Sequence, residues 1–303
     1  AKGENVMSKV SQLLRFLSIV LLPCLFHPGC DSKMDVTLPE VPTPEPLLTA
    51  RLFTESHPKG ITFDSRGAVW MGTWQQHGII KYEAGQTTLY NSDNSALPDS
   101  MKVWSIHADR EDNIWIGTAD HGLIKYDGTT FSRYTAADSG IPPYPVWAIT
   151  SDKSNTIWAA VSVFGQGGLV SYDGSIWTVY TPDNSLLPAS LIHDIAIDSR
   201  DNLWVAVQHG NCLVRKNGTE WRVFDKDDMG VDTWYAADIA LDHNDNLYAS
   251  IEYYLSSGMW VNKEHLFTYD ESAKTWAVEN PVDEHGTSLG GVSAVTIDKN
   301  GFI

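Results

Sequence analysis

The chain has 303 residues, 43% of them hydrophobic and 11% aromatic, with 12 tryptophans, enough to bury one large core or two modest ones. Its 21 basic and 38 acidic side chains leave a formal net charge of −17. A surface that negative repels nucleic-acid phosphates and anionic lipid head groups, which excludes nucleic-acid binding and polybasic membrane docking.

From Met7 the sequence reads MSKVSQLLR, then the apolar run FLSIVLLPCLF, then HPGC. A basic start, an apolar stretch of about eleven residues and a small residue before a cysteine make residues 1–30 a secretory signal with its upstream residues. The run falls short of the roughly 20 apolar residues that a transmembrane helix needs. The cleavage region resembles a bacterial lipoprotein signal, with Gly29 before Cys30. That resemblance implies acylation of Cys30; an ordinary secretory signal cut nearby is the alternative. The expected location is the bacterial cell envelope, with membrane contact only through the N-terminal lipid. Residues 31–49 carry Pro39, Pro42, Pro44 and Pro46, whose fixed φ suits an extended tether. Beyond Cys30 the sequence has a single cysteine, Cys212, so the exported chain cannot close an internal disulfide.

Residues 50–303 repeat one phrase, Ile-x-x-Asp, a short polar turn, then Trp. It reads ITFDSRGAVWMGT at 61–73, IHADREDNIWIGT at 106–118, ITSDKSNTIWAAV at 149–161, IAIDSRDNLWVAV at 195–207 and IALDHNDNLYASI at 239–251. A sixth copy opens as VTIDKNGFI at 295–303. The aspartates stand at 64, 109, 152, 198, 242 and 298, spaced by 45, 43, 46, 44 and 56 residues. Strand-like units returning at 40–50 residues specify an all-β propeller, with five complete blades and the start of a sixth. The reading frame is therefore expected to continue, and LTARLFTES (48–56) aligns with a fourth strand placed to close the ring.

Each unit predicts four strands: in the second copy VWSIHAD (103–109), IWIGT (114–118), GLIKYDG (122–128) and FSRYT (131–135). The turns DREDN, DSRDN and DHNDN lack the spacing of an EF-hand loop and predict tight hairpins, not calcium sites. Trp70, Trp115, Trp158, Trp204 and Tyr248 fall once per blade and predict packing against the neighbouring blade. Burying about 200 Å² of indole at roughly 25 cal/mol/Å² is worth up to about 5 kcal/mol each. Tyr90, Tyr134, Tyr180 and Phe224 form a second packing column.

The phrase D-x-x-[GDN]-N-x-W-x-G-T, followed by GL-x-KYDG, F-x-x-Y and NS-x-LP, resembles the two-component regulator propeller repeat. That family supplies extracytoplasmic sensor halves of hybrid histidine kinases and also occurs as free-standing secreted proteins and lipoproteins. The resemblance implies the fold strongly and the function weakly.

Loops between second and third strands and linkers between blades leave the same face of a propeller, around the channel mouth. They bring Trp74, His77, His121 and His209 together with Trp104, Trp147, His193, Trp234 and Tyr235 as a candidate ligand site. Five residues before each repeat aspartate stand Lys59, Trp104, Trp147, His193, Ala237 and Ser293, a column too varied for a core and expected to be exposed. Aromatic faces among Gln, His and Asn suit a small polar ligand, saccharides included; a protein partner is the other occupant. The recurring His-Gly pairs are read as a loop signature, so no metal and no cofactor is expected. Asp194 and Asp238 are expected to face the channel and be hydrated.

The expected function is non-catalytic recognition. The alternative is the sensor input domain of a two-component histidine kinase. A streptogramin lyase-like enzyme is the remote alternative: its repeats read W-F-T-E, whereas here WMGT, WIGT, WAAV, WVAV and YASI carry no glutamate.

Overall fold

Short alternating segments punctuated by Asx turns fold, repeat by repeat, into four-stranded antiparallel sheets whose strands pair in sequence order. The computed structural model describes residues 58–74, 78–208, 212–229, 234–253, 265–270 and 272–279. Blade 1 comprises β1–β4 (Pro58–Phe63, Val69–Thr73, Ile79–Glu83, Gln86–Tyr90), and blade 2 β5–β8 (Val103–Ala108, Ile114–Thr118, Leu123–Tyr126, Phe131–Tyr134). Blade 3 comprises β9–β12 (Val146–Ser151, Ile157–Val163, Gln166–Tyr172, Trp177–Tyr180). Blade 4 comprises β13–β16 (Ile192–Ile197, Leu203–Val207, Cys212–Asn217, Glu220–Phe224), and blade 5 β17–β20 (Trp234–Leu241, Leu247–Tyr253, His265–Asp270, Thr275–Glu279). Two single-turn helices, α1 (Ala136–Ser139) and α2 (Lys226–Met229), sit in linkers. The first strands of consecutive blades are neighbours, β1 to β5 to β9 to β13 to β17, as the inner strands of a propeller must be. The expected signal, tether, Cys30, sixth copy and closing strand at 48–56 lie outside the described residues.

The repeat aspartate organises each first hairpin from within. Oδ1 of Asp109 accepts the N–H groups of Glu111 and Asn113, both at 2.9 Å; Oδ2 accepts Asn113 Nδ2 and Trp115 Nε1, both at 2.8 Å. Asp64, Asp152 and Asp198 repeat the bond to their own blade's tryptophan at 3.1, 3.3 and 3.4 Å. These carboxylates spend their lone pairs on the turn, which is the chemistry of an Asx turn and not of a cation loop.

The tryptophans then fill the seams. Trp70, Trp115, Trp158 and Trp204 are buried, each stacked on its blade's fourth-strand aromatic at 5.4–5.8 Å. The next blade's third strand covers them: Tyr126 on Trp70, Tyr172 on Trp115 and Tyr269 on Trp204, with Lys216 Nζ 4.9 Å over Trp158. The residue two after the tryptophan must be small. A Cβ on Gly72 would stand 2.2 Å from Val103 Cγ1, and one on Gly117 2.8 Å from Val146 O of the next blade. Ala160, Ala206 and Ser250 occupy that place in blades 3–5, so WAAV, WVAV and YASI keep the size rule that W-x-G-T obeys.

Candidate functional site

Every inner strand slips register once near its mouth end. The irregularities fall between Pro58 and Gly60, Val103 and Ser105, Val146 and Ala148, Ile192 and Asp194, and Ala236 and Asp238. The extra residue of each bulge is Lys59, Trp104, Trp147, His193 and Ala237, the varied column of the sequence. A bulged residue leaves the ladder and its side chain is re-aimed. Side chains of a paired strand stand perpendicular to the sheet, into the seams between blades. In blades 2–4 the bulge takes Trp104, Trp147 and His193 out of that alternation, and their rings meet one another instead.

The result is a chain of rings across four blades. Trp74 meets Trp104 edge-on at 4.5 Å, Trp104 meets Trp147 at 4.4 Å, and Trp147 stacks on His193 at 5.2 Å and 15°. Two anchors fix its orientation. Trp147 Nε1 donates to Ser162 O at 2.8 Å, and His193 Nε2 lies 2.9 Å from Gln208 Oε1, so Nε2 carries the proton. Lys102 Nζ stands 5.7 Å over the Trp74 ring. Trp104, Trp147 and His193 are half-buried, not exposed as expected, because each ring covers part of the next. Aromatic pairs at these distances prefer tilted and offset geometries, which leaves ring faces and edges for a further planar or CH-rich ligand surface.

The other expected site residues distribute differently. His121 lines a separate crevice of about 310 Å³ with Arg133, Thr135, Pro142 and Tyr144, its Nε2 3.5 Å from Asp120 Oδ1. Trp234 and Tyr235 open β17, paired with Tyr253 and Glu252, and their side chains are not described. His77 and His209 lie outside the described residues. Among the described residues no three His, Cys, Asp or Glu side chains converge as metal ligands. Cys212 is buried, and burial pushes its thiol up to about 12. His107, on β5, is held neutral: burial lowers its pKa to about 4, and Nε2 lies 2.8 Å from Ser151 Oγ of blade 3.

Sequence reasoning missed three features. Gln208, which the sequence does not single out, anchors His193. The second is a hairpin at 163–168: β10 and β11 pair to Val163↔Gln166 and raise Phe164, 71% exposed, at the tip. Gly165 there has φ 75°, the left-handed turn such a tip needs. The third is the orientation of Asp194. Its Oδ2 accepts the Ile239 N–H of blade 5 at 3.0 Å, so it faces the seam and not the channel.

Sequential four-stranded sheets with adjacent inner strands define a β-propeller, and its mouth carries an aromatic ladder. The family model for the two-component regulator propeller matches residues 96–120, which span Trp104, Asp109 and Trp115; the chain thus carries the two-component regulator propeller repeat. Among solved structures it is similar to the extracellular domain of a hybrid two-component system of B. thetaiotaomicron (20% identity, TM-score 0.54), covering 80% of this chain and 37% of that one. It is also similar to PorZ, a surface component of the type-IX secretion system of Porphyromonas gingivalis (18%, TM-score 0.56), over 79% of this chain and 37% of that one. Virginiamycin B lyase from Staphylococcus aureus aligns at 14% identity and TM-score 0.53, over 79% of this chain and 89% of the lyase. These likenesses share a fold. No functionally curated protein matches the sequence.

Proposed function

We propose that the chain is an extracytoplasmic recognition module of the bacterial envelope whose channel mouth binds a small polar ligand, a saccharide being the chemistry that fits. The observation that carries this is the ladder Trp74–Trp104–Trp147–His193, mounted on successive bulges and anchored through Ser162 and Gln208. Indole and imidazole faces stack on the CH-rich face of a sugar ring, while the amide and backbone groups beside them hydrogen-bond hydroxyls. The Pro-rich tether and an acylated Cys30 would hold such a module at the membrane. A protein partner is the other occupant that the same face accommodates.

A sensor input domain is the second reading. What supports it is the propeller repeat at 96–120 and the likeness to extracellular domains of two-component systems. In either case the propeller binds and does not catalyse: the second strands lack the glutamate of the lyase pattern.

The test is a saccharide-binding screen on wild type and on Trp147→Ala. Wild type is expected to retain at least one saccharide, and the variant to lose about tenfold or more in affinity, since stacking on one aromatic is worth about 1–3 kcal/mol. Equal binding by both would place the ligand elsewhere.

A further inference from the structure

The crevice that His121 lines holds an arginine where the fold asks for an apolar side chain. On β8, Arg133 pairs with Ile124. The same register position holds Leu89 in blade 1, Val179 in blade 3, Val223 in blade 4 and Val278 in blade 5, opposite Ile80, Val170, Val214 and Phe267. Packing accounts for leucine or valine there and not for a guanidinium. Its surroundings depart from the repeat as well. Tyr144, three residues before the bulged Trp147, stands where the linkers into blades 2 and 4 have Met101 and Ser190. Its hydroxyl donates to Gln166 Oε1 on the extended hairpin of blade 3, which fixes the ring at the edge of the crevice. The acids nearby are already engaged. Asp138, in α1, accepts the Thr135 N–H at 2.6 Å and the Thr135 Oγ1 at 3.1 Å, both through Oδ1. Asp120 Oδ1 lies 3.5 Å from His121 Nε2. Among the described residues the Arg133 guanidinium has neither an ion pair nor a hydrogen bond.

We propose that this crevice is a second binding site, separate from the aromatic ladder, for a small organic carboxylate. A guanidinium presents its N–H groups as a planar fork that two carboxylate oxygens match. Pro142, Pro143 and the Tyr144 ring supply an apolar wall for the body of such a ligand. Inorganic phosphate would leave that wall uncovered. The volume of about 310 Å³ lies at the lower end of small-molecule sites, roughly 300–1,000 Å³, and so suits a compact ligand. At a net charge of −17 the long-range field opposes any anion, so a preference for one has to come from a local cation.

The experiment is saturation-transfer NMR on the full chain with benzoate and its neutral isostere benzamide, with phosphate as competitor. Three proteins are compared: wild type, Arg133→Val and Trp147→Ala. Arg133→Val installs the residue that blades 3–5 carry at this position, so it is expected to keep the fold. Wild type and Trp147→Ala are expected to bind benzoate about tenfold or more tightly than benzamide, the discrimination that charge-assisted hydrogen bonds give, and Arg133→Val to lose that preference. Wild type that ignores benzoate or binds both probes equally would overturn the site, as would a preference that survives Arg133→Val. A preference lost only in Trp147→Ala would move the carboxylate to the ladder, overturning this inference and leaving the reading of the mouth intact. Phosphate that displaces benzoate at equal concentration would overturn the carboxylate class. Should Arg133→Val fail to fold, Arg133→Gln, which removes the charge and keeps a polar side chain, decides on the same criterion.

Discussion

Asp109 and Trp115 show how two residues of the repeat divide one task. The carboxylate closes the turn and receives the indole N–H, and the indole, 1% exposed, is covered by Tyr134 of its own blade and Tyr172 of the next. In the third strand, Lys125 lies 5.6 Å over the Trp115 of its own blade while the adjacent Tyr126 covers Trp70 of the preceding one. Alternation along a strand sends the two side chains to opposite seams, so Lys-Tyr is a single seam-sealing device read twice. Truncating Trp115 to Ala should cost about 3–5 kcal/mol in urea unfolding, because the cavity is closed on all sides. Trp104→Ala should cost markedly less, since its ring is half-buried at the mouth. Equal losses would make the ladder part of the core rather than a binding surface.

Between elements, the blades are latched through the turns of their first hairpins. Asp112 accepts from Ser65 of the preceding blade, N–H at 2.7 Å and Oγ at 2.6 Å; Asn155 accepts the Arg110 N–H, Asp201 the Lys153 N–H and Asp245 the Ser199 N–H at 2.7–3.0 Å. Each acceptor sits at φ 62–65°, where the short polar side chains of Asp and Asn are tolerated and a plain Cβ is strained. Gly67 holds the equivalent place in blade 1. Asp112→Gly should thus lower Tm only by the loss of the latch, whereas Asp112→Ala should lower it further, because alanine loses the latch and keeps the strain. If alanine proved the milder change, φ would not be governing this position. The hairpins and turns were legible because their signals are local: Ile-x-x-Asp, Asx turn, Trp. The bulges were not, since one extra residue leaves the pattern of residue types unchanged. They surfaced in the sequence only as a column that refused to repeat. Asp194 was misread for the same physical reason. In radial sheets, alternation sends paired side chains into seams, as it does Asp194 toward the Ile239 N–H.

At the scale of the molecule, four of the nine expected mouth residues, Trp74, Trp104, Trp147 and His193, form the ladder, because they occupy a loop end and three successive bulges on one face. His121 shares that face but lies in its own crevice, a difference set by the paths of the linker and α1 that residue spacing does not carry. The ladder itself is nearly uncharged, with Lys102 over one end, on a protein of net charge −17. Two occupants of the mouth then differ in how salt acts on them. A neutral saccharide is held by stacking and short-range hydrogen bonds, which a Debye length of about 8 Å at physiological salt hardly touches. A basic protein partner is drawn by the long-range field of the whole surface, so its association slows as that field is screened. Titrations at about 0.05 and 0.5 M NaCl, followed by the fluorescence of the ladder tryptophans, should give saccharide affinities equal within about twofold. A steep loss of affinity with salt would instead assign the mouth to a cationic protein, and the ladder would then be the hydrophobic centre of that interface.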